Sequence, residues 1–198
     1  MSIQLIGTAH EAVLTYKNLK NSERNMTQTP NIPPIIESDE SDYRDSGVPS
    51  TVTIAGHPLH PPMVVFPVAL LVAVAAFDIG YWLTGDPFWA RGSFLLLIGG
   101  LVTGLAAALI GMMDFMKIGR VRKHTAGWAH MYSNVIALVL TAINLGLRLG
   151  DRTENILYTG LIISAVVETL LGVGGWFGGE LIYRHKIAVI GYGDRDQP

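Results

Sequence analysis

Four apolar runs dominate the chain, over residues 63–83, 94–116, 128–147 and 156–177, each twenty or more residues long. At about 1.5 Å of rise per residue, a helix of that length reaches about 30 Å, the thickness of a bilayer's hydrocarbon core. Backbone amides in hydrocarbon must be satisfied internally, which makes helix the reading of all four runs. The links TGDPFWARGS, KIGRVRKHTAG and RLGDRTEN are short, and short links make consecutive helices antiparallel neighbours. The pattern predicts an all-α integral membrane protein, a four-helix up-down-up-down bundle.

Polar positions predominate on either side of this block. Residues 1–55 contain TPNIPPIIESDESDYRDSGVPS, with five acidic residues between Glu37 and Asp45. Such a stretch buries too little to fold alone and is expected to be largely disordered. Ile3, Leu5, Ile6, Ala9 and Val13 keep a helical spacing that suggests a short amphipathic helix within residues 1–20, and Met26 is an alternative start. The expected organisation is a polar extension over 1–55, a four-span domain over 56–190 and a tail over 191–198.

Within the spans, Gly100, Gly104, Ala108 and Gly111 recur three or four apart, and GVGGWFGG closes the fourth run. Small faces of this kind let membrane helices approach closely. Tyr81, Trp82, Trp89, Trp128 and Trp176 fall near the predicted span ends, where interfacial aromatics belong. Both termini and the second link share one face. That face carries Lys117, Arg120, Arg122, Lys123, Arg184 and Lys186, against Arg91, Arg148 and Arg152 opposite. The positive-inside rule puts the richer face, and both termini, in the cytoplasm.

Composition narrows the chemistry. A net charge of −2 and no basic-aromatic patch give no sign of a nucleic-acid partner. The absence of cysteine excludes disulfides, thiolate metal sites and thiol nucleophiles within this chain. No phosphate loop, GxSxG, HExxH or selectivity-filter run occurs, so no catalytic residue is assigned and an enzyme is not the expected class.

The histidines are the main chemical signal. His57 and His60, in GHPLHPP, precede the first span. His124 precedes the third, His130 lies in its first turn, and His185 follows the fourth. Apart from His10, all are expected at the cytoplasmic end of the bundle, where convergent side chains build metal and cofactor sites. The prolines bias HPLH toward polyproline II, whose three-residue repeat would point His57 and His60 the same way. Asn134 is one helical turn from His130, and Asp114 and Glu180 lie at the same level, with Met63, Met112, Met113, Met116 and Met131. Imidazole with thioether suits haem iron or copper, and imidazole with carboxylate suits iron, manganese or zinc. A structural reading stands beside this one: interfacial histidines, core methionines and a proline stop for the first helix. Asp78 and Glu168 lie deeper, with Thr103, Thr141, Asn144 and Ser164 as available partners.

GHPLHP opening the first span, Phe77–Asp78, the GDPFWA turn, a glycine-rich second span ending in Asp114, the His130/Asn134 pair and GGELIYRHKIAV together resemble the bacterial membrane-protein family catalogued as domain of unknown function 2231. The resemblance covers about residues 55–190. It implies a compact four-span domain without an established activity, with family histidines carried over as His57, His60, His130 and His185. Relatives joined to Rieske-type domains suggest electron transfer, although no such domain is present here.

The resulting expectation is a multi-pass protein of the bacterial cytoplasmic or an internal membrane. It would bind haem b or a transition metal through some of His57, His60, His130 and His185, with Asp114 and Asn134 beside them. Its expected partners are the lipid bilayer, a Rieske-type redox protein and further copies of itself. The alternatives are a structural or accessory membrane subunit and a small proton-coupled transporter using Asp78 and Glu168.

Overall fold

The computed structural model describes residues 47–150, 153 and 156–189. The segment predicted as an amphipathic helix, His10, the acidic run and the tail from residue 190 lie outside them. The described chain begins with a two-stranded hairpin, β1 (Thr53–Ile54) and β2 (His57–Pro58), paired antiparallel with Ile54 opposite His57. Helices follow: α1 (His60–Thr84), α2 (Pro87–Lys117), the short α3 (Gly119–Lys123), α4 (Thr125–Leu147) and α5 (Leu161–Tyr183), the last preceded by a π-helical turn (Ile156–Gly160).

Among the described residues four helices are long and apolar enough to cross a membrane: His60–Thr84, Pro87–Lys117, Thr125–Leu147 and Tyr158–Tyr183. The first two spans exceed their apolar runs because the local chemistry of their ends is favourable. Pro61 and Pro62 occupy the first turn of α1, where amide donors have no acceptor anyway. Gly85 ends α1 in a left-handed conformation (φ 68°) and Asp86 caps α2 by accepting from the Phe88 amide at 2.8 Å. The predicted ten-residue link is therefore a two-residue turn.

Consecutive spans pack against one another, and α1 also packs on α5, a neighbour relation compatible with up-down-up-down order. The mid-bundle core joins Leu71 and Val74 of α1, Leu97 of α2, Ala137 of α4 and Val167 of α5. A methyl group added at Gly104 would lie 2.6 Å from Leu138 Cδ2, so that glycine is what lets α2 approach α4. Val65, Phe66, Val72, Leu95, Val102 and Leu109 are exposed instead of buried, as expected of a surface solvated by lipid. Trp82 and Trp89 do sit at helix ends, whereas α5 runs on to Tyr183 and leaves Trp176 nearly two turns inside it.

A second, smaller core closes one end of the bundle. Ile118, Val121, Ala126, Leu181 and Ile187 cluster there, with Val48 packed against them. Val48 donates its amide to Lys186 O at 2.9 Å and accepts from the Ala188 amide at 2.8 Å. Residues 47–55, placed in the extension by their polarity, are thus tied down as a strap across the bundle end. The reason is long-range pairing, which a local polarity pattern does not report.

Candidate functional site

His60 is the first residue of α1 and His130 lies in the second turn of α4, one turn deeper than its sequence suggests. Their ring centroids are 6.1 Å apart, with planes at 89°. Each ring is anchored on a helix other than its own. His60 Nδ1 lies 3.0 Å from Ala107 O on α2, and His130 Nδ1 lies 2.7 Å from Gly174 O on α5. A carbonyl only accepts, so both Nδ1 atoms carry the proton, and in the neutral rings both Nε2 atoms keep their lone pairs. This is the tautomer of a metal-ligating histidine whose second nitrogen is fixed by backbone.

Two glycines make room for the rings. A methyl at Gly111 would lie 2.6 Å from His60 Cε1, 3.0 Å from its Nδ1 and 3.1 Å from its Nε2, and one at Gly178 would lie 3.0 Å from His130 Nδ1 and 3.1 Å from its Cε1. The Nδ1–Cε1 edge of His130 faces α5, so its Nε2 is turned away from that helix. Asn134 donates to His130 O at 2.7 Å and stands 3.4 Å from His130 Nδ1. The Nδ1 proton already points at Gly174 O, so Asn134 braces the turn that carries His130 and donates nothing to the ring.

The other predicted donors have different surroundings. His57 is exposed at the hairpin, its Nδ1 3.0 Å from Ala55 O. HPLH crosses from strand to helix, so the polyproline II geometry expected for it does not form. Ala55 (φ 51°) and Gly56 (φ 78°) make the two-residue turn that redirects the chain. His185 is buried and stacks on His124, centroids 3.7 Å apart and planes 20° from parallel. Asp114 accepts from Ser50 Oγ at 2.6 Å and from Thr51 N and Oγ1 at 2.7 Å each, which fastens the strap to α2. Glu180 pairs with Arg184 at 3.2 Å. Met112, Met113 and Met116 are exposed on α2. Among the described residues no group of three or more His, Asp or Glu is arranged to hold a metal ion.

Residues 56–191 match the family described as predicted membrane protein (DUF2231). The chain belongs to that family. No curated protein and no solved structure matches it.

In this DUF2231 member a second polar centre lies at the other end of the spans, and the loop reading of Arg148 missed it. Arg148 is fully buried and forms a bidentate pair with the equally buried Asp78, Nη1 to Oδ1 at 2.8 Å and Nη2 to Oδ2 at 2.7 Å. Ser93 Oγ donates to Asp78 Oδ1 at 2.5 Å and accepts from Arg148 Nη1 at 2.6 Å. Ser164 Oγ lies 2.8 Å from Asp78 Oδ2, and Arg148 Nε donates to Asn144 Oδ1 at 2.9 Å. All four spans contribute. The π-helical turn leaves Gly160 O to accept from Asn144 Nδ2 at 3.3 Å, with Ser164 Oγ 2.9 Å away. The usable sequence signal was the spacing of Thr141, Asn144 and Arg148, which puts all three on one helical face above an isolated intramembrane acid.

Proposed function

We propose that this membrane protein binds a haem b, or failing that a single metal ion, through His60 and His130, and acts in electron transfer. The observation that carries the reading is the pair itself: two imidazoles from different spans, each locked by a carbonyl of a third or fourth helix in the tautomer that leaves Nε2 basic. The donor set favours haem. A structural zinc takes four protein ligands and a catalytic zinc three, whereas a haem would be held by one or two protein side chains. The two rings lie 6.1 Å apart, and each keeps its Nε2 free of the carbonyl that holds its Nδ1. Bound haem would supply one-electron exchange; His60 and His130 would hold it, while Ala107 O, Gly174 O and Asn134 keep the rings in place.

The orientation expected from the loops is reinforced by the burial of Arg148. Without it the opposite face retains Arg91 and Arg152 against six lysines and arginines at the histidine end. By the positive-inside rule that charge difference supports a cytoplasmic position for the pair. The transporter alternative loses its main acid, because Asp78 is committed to Arg148. An accessory-subunit role draws support from the same network, which ties the four spans together.

The test is the visible spectrum of protein purified in mild detergent after expression with iron and a haem precursor, oxidised and dithionite-reduced, with metal content measured on the same sample. A Soret band with sharp reduced α and β bands supports haem. Stoichiometric iron, copper or zinc without those bands supports a non-haem centre. A colourless, metal-free protein that also fails to take up added haemin favours the accessory role.

A further inference from the structure

Between the second and third spans the chain crosses the bundle end as α3, and the packing of that short helix fixes where its cations lie. Ile118 and Val121 are buried in the smaller core. A methyl added at Gly127 would run into Val121 O, so α3 lies directly on the first turn of α4. Trp128 donates its indole N–H to Arg122 O at 3.0 Å. Arg122 and the neighbouring Lys123 are exposed, and among the described residues no carboxylate pairs with either. Asp114 and Glu180, the acids described at this end, are engaged by the strap and by Arg184.

The same tryptophan heads a groove between α2 and α4. Its ring meets Phe115 of α2 edge-on, centroids 4.9 Å apart, and stacks on Tyr132, one turn further along α4, at 5.8 Å. The two helices touch again deeper in the bundle, where Gly104 meets Leu138. At about 100° per residue, Leu105, Met112 and Met116 lie within about 60° of arc on one flank of the α2 contact line. Trp128, Tyr132 and Val135 do the same on α4. Because α2 and α4 run in opposite directions, both flanks open to the same side of their contact, away from α1 and α5. All six residues are exposed. An apolar furrow thus runs from the bundle end into the hydrocarbon, with two cations at its mouth.

We propose that this groove binds an anionic phospholipid of the leaflet in contact with α3. The phosphate of its headgroup lies at Arg122 and Lys123, and an acyl chain runs along Trp128, Val135 and Met112. Basic pockets between membrane helices suit anionic headgroups, and each exposed cation near the surface adds to the attraction. The indole and phenol rings occupy the level between headgroup and chain, where amphipathic aromatics are stable. A soluble anion would use the cations alone, whereas the furrow beneath them calls for a ligand with an apolar tail. The proposal is independent of what His60 and His130 bind.

The test titrates delipidated protein in mild detergent, at low ionic strength, with phosphatidylglycerol or with phosphatidylcholine of the same chains. Native mass spectrometry counts the lipid bound. Wild type should hold one phosphatidylglycerol about tenfold or more tighter than phosphatidylcholine. Arg122→Gln/Lys123→Gln should abolish that preference, while Arg91→Gln, exposed at the other end of α2, should retain it. Val135→Trp fills the groove and should weaken phosphatidylglycerol binding severalfold, while Val65→Trp, equally lipid-facing on α1, should not. All five substituted side chains are exposed, so the fold should be unaffected. Equal affinity for the two lipids, a preference that survives in Arg122→Gln/Lys123→Gln, or equal binding by Val135→Trp and Val65→Trp overturns the proposal. Displacement of the lipid by glycerol 3-phosphate at equal concentration would make this a site for soluble anions and overturns it as well.

Discussion

Arg148→Met strips Asp78 of two of the four donors that reach its carboxylate, and deprives Ser93 and Asn144 of one donor each. Hydrogen bonds to charged groups contribute about 1.5–3 kcal/mol each, and breaking a buried pair from one side costs about 3–5 kcal/mol. Polar contacts between membrane helices measure lower, because the unfolded chain finds partners in the micelle. The expected loss is therefore about 3 kcal/mol for Arg148→Met, and about 2 kcal/mol for Asp78→Asn, which retains hydrogen-bonding capacity. The double variant Asp78→Leu/Arg148→Met leaves no stranded charge and should lie within about 1 kcal/mol of wild type. Unfolding by dodecyl sulfate in mixed micelles, followed by far-ultraviolet circular dichroism, gives all the free energies of the cycle once Asp78→Leu and Arg148→Met are also measured singly. Additive single effects, with a coupling under about 0.5 kcal/mol, would refute the claim that the pair acts as one buried unit.

Other expectations follow from individual contacts. Asp114→Ala removes the acceptor for Ser50 and for both donors of Thr51. Amide exchange at Thr51 and Val52 should accelerate about ten- to a hundredfold, while global stability falls by only about 1–2 kcal/mol. Gly104→Leu drives a side chain into Leu138 and should cost about 1–3 kcal/mol in the same unfolding assay. Gly146→Ala, inside α4 with nothing within 4 Å, should instead stabilise by about 0.5–1 kcal/mol.

The spans were legible because length and apolarity over twenty residues dominate every local signal. Their ends were less so, since Pro61, Pro62 and Asp86 extend helices through polar or proline-rich sequence. The layer of histidines was legible only as a layer. Which rings meet depends on the neighbours each helix presents: His60 finds Gly111 and Ala107, His130 finds Gly174 and Gly178, and His185 finds His124. His57 was misjudged from its prolines, because the turn at Ala55 and Gly56 lacks the Asn-Gly signature that marks most hairpins of this length. Arg148 was taken for a loop charge because it lies just past the apolar run. Its long side chain folds back into the bundle, and a window average of hydropathy carries no direction.

The most direct test of the central claim is cofactor or metal content across four single substitutions in one background, His57→Ala, His60→Ala, His130→Ala and His185→Ala. The geometry predicts loss in His60→Ala and His130→Ala with retention in His57→Ala and His185→Ala. Equal retention in all four, or loss confined to His57→Ala and His185→Ala, would contradict the assignment of the pair.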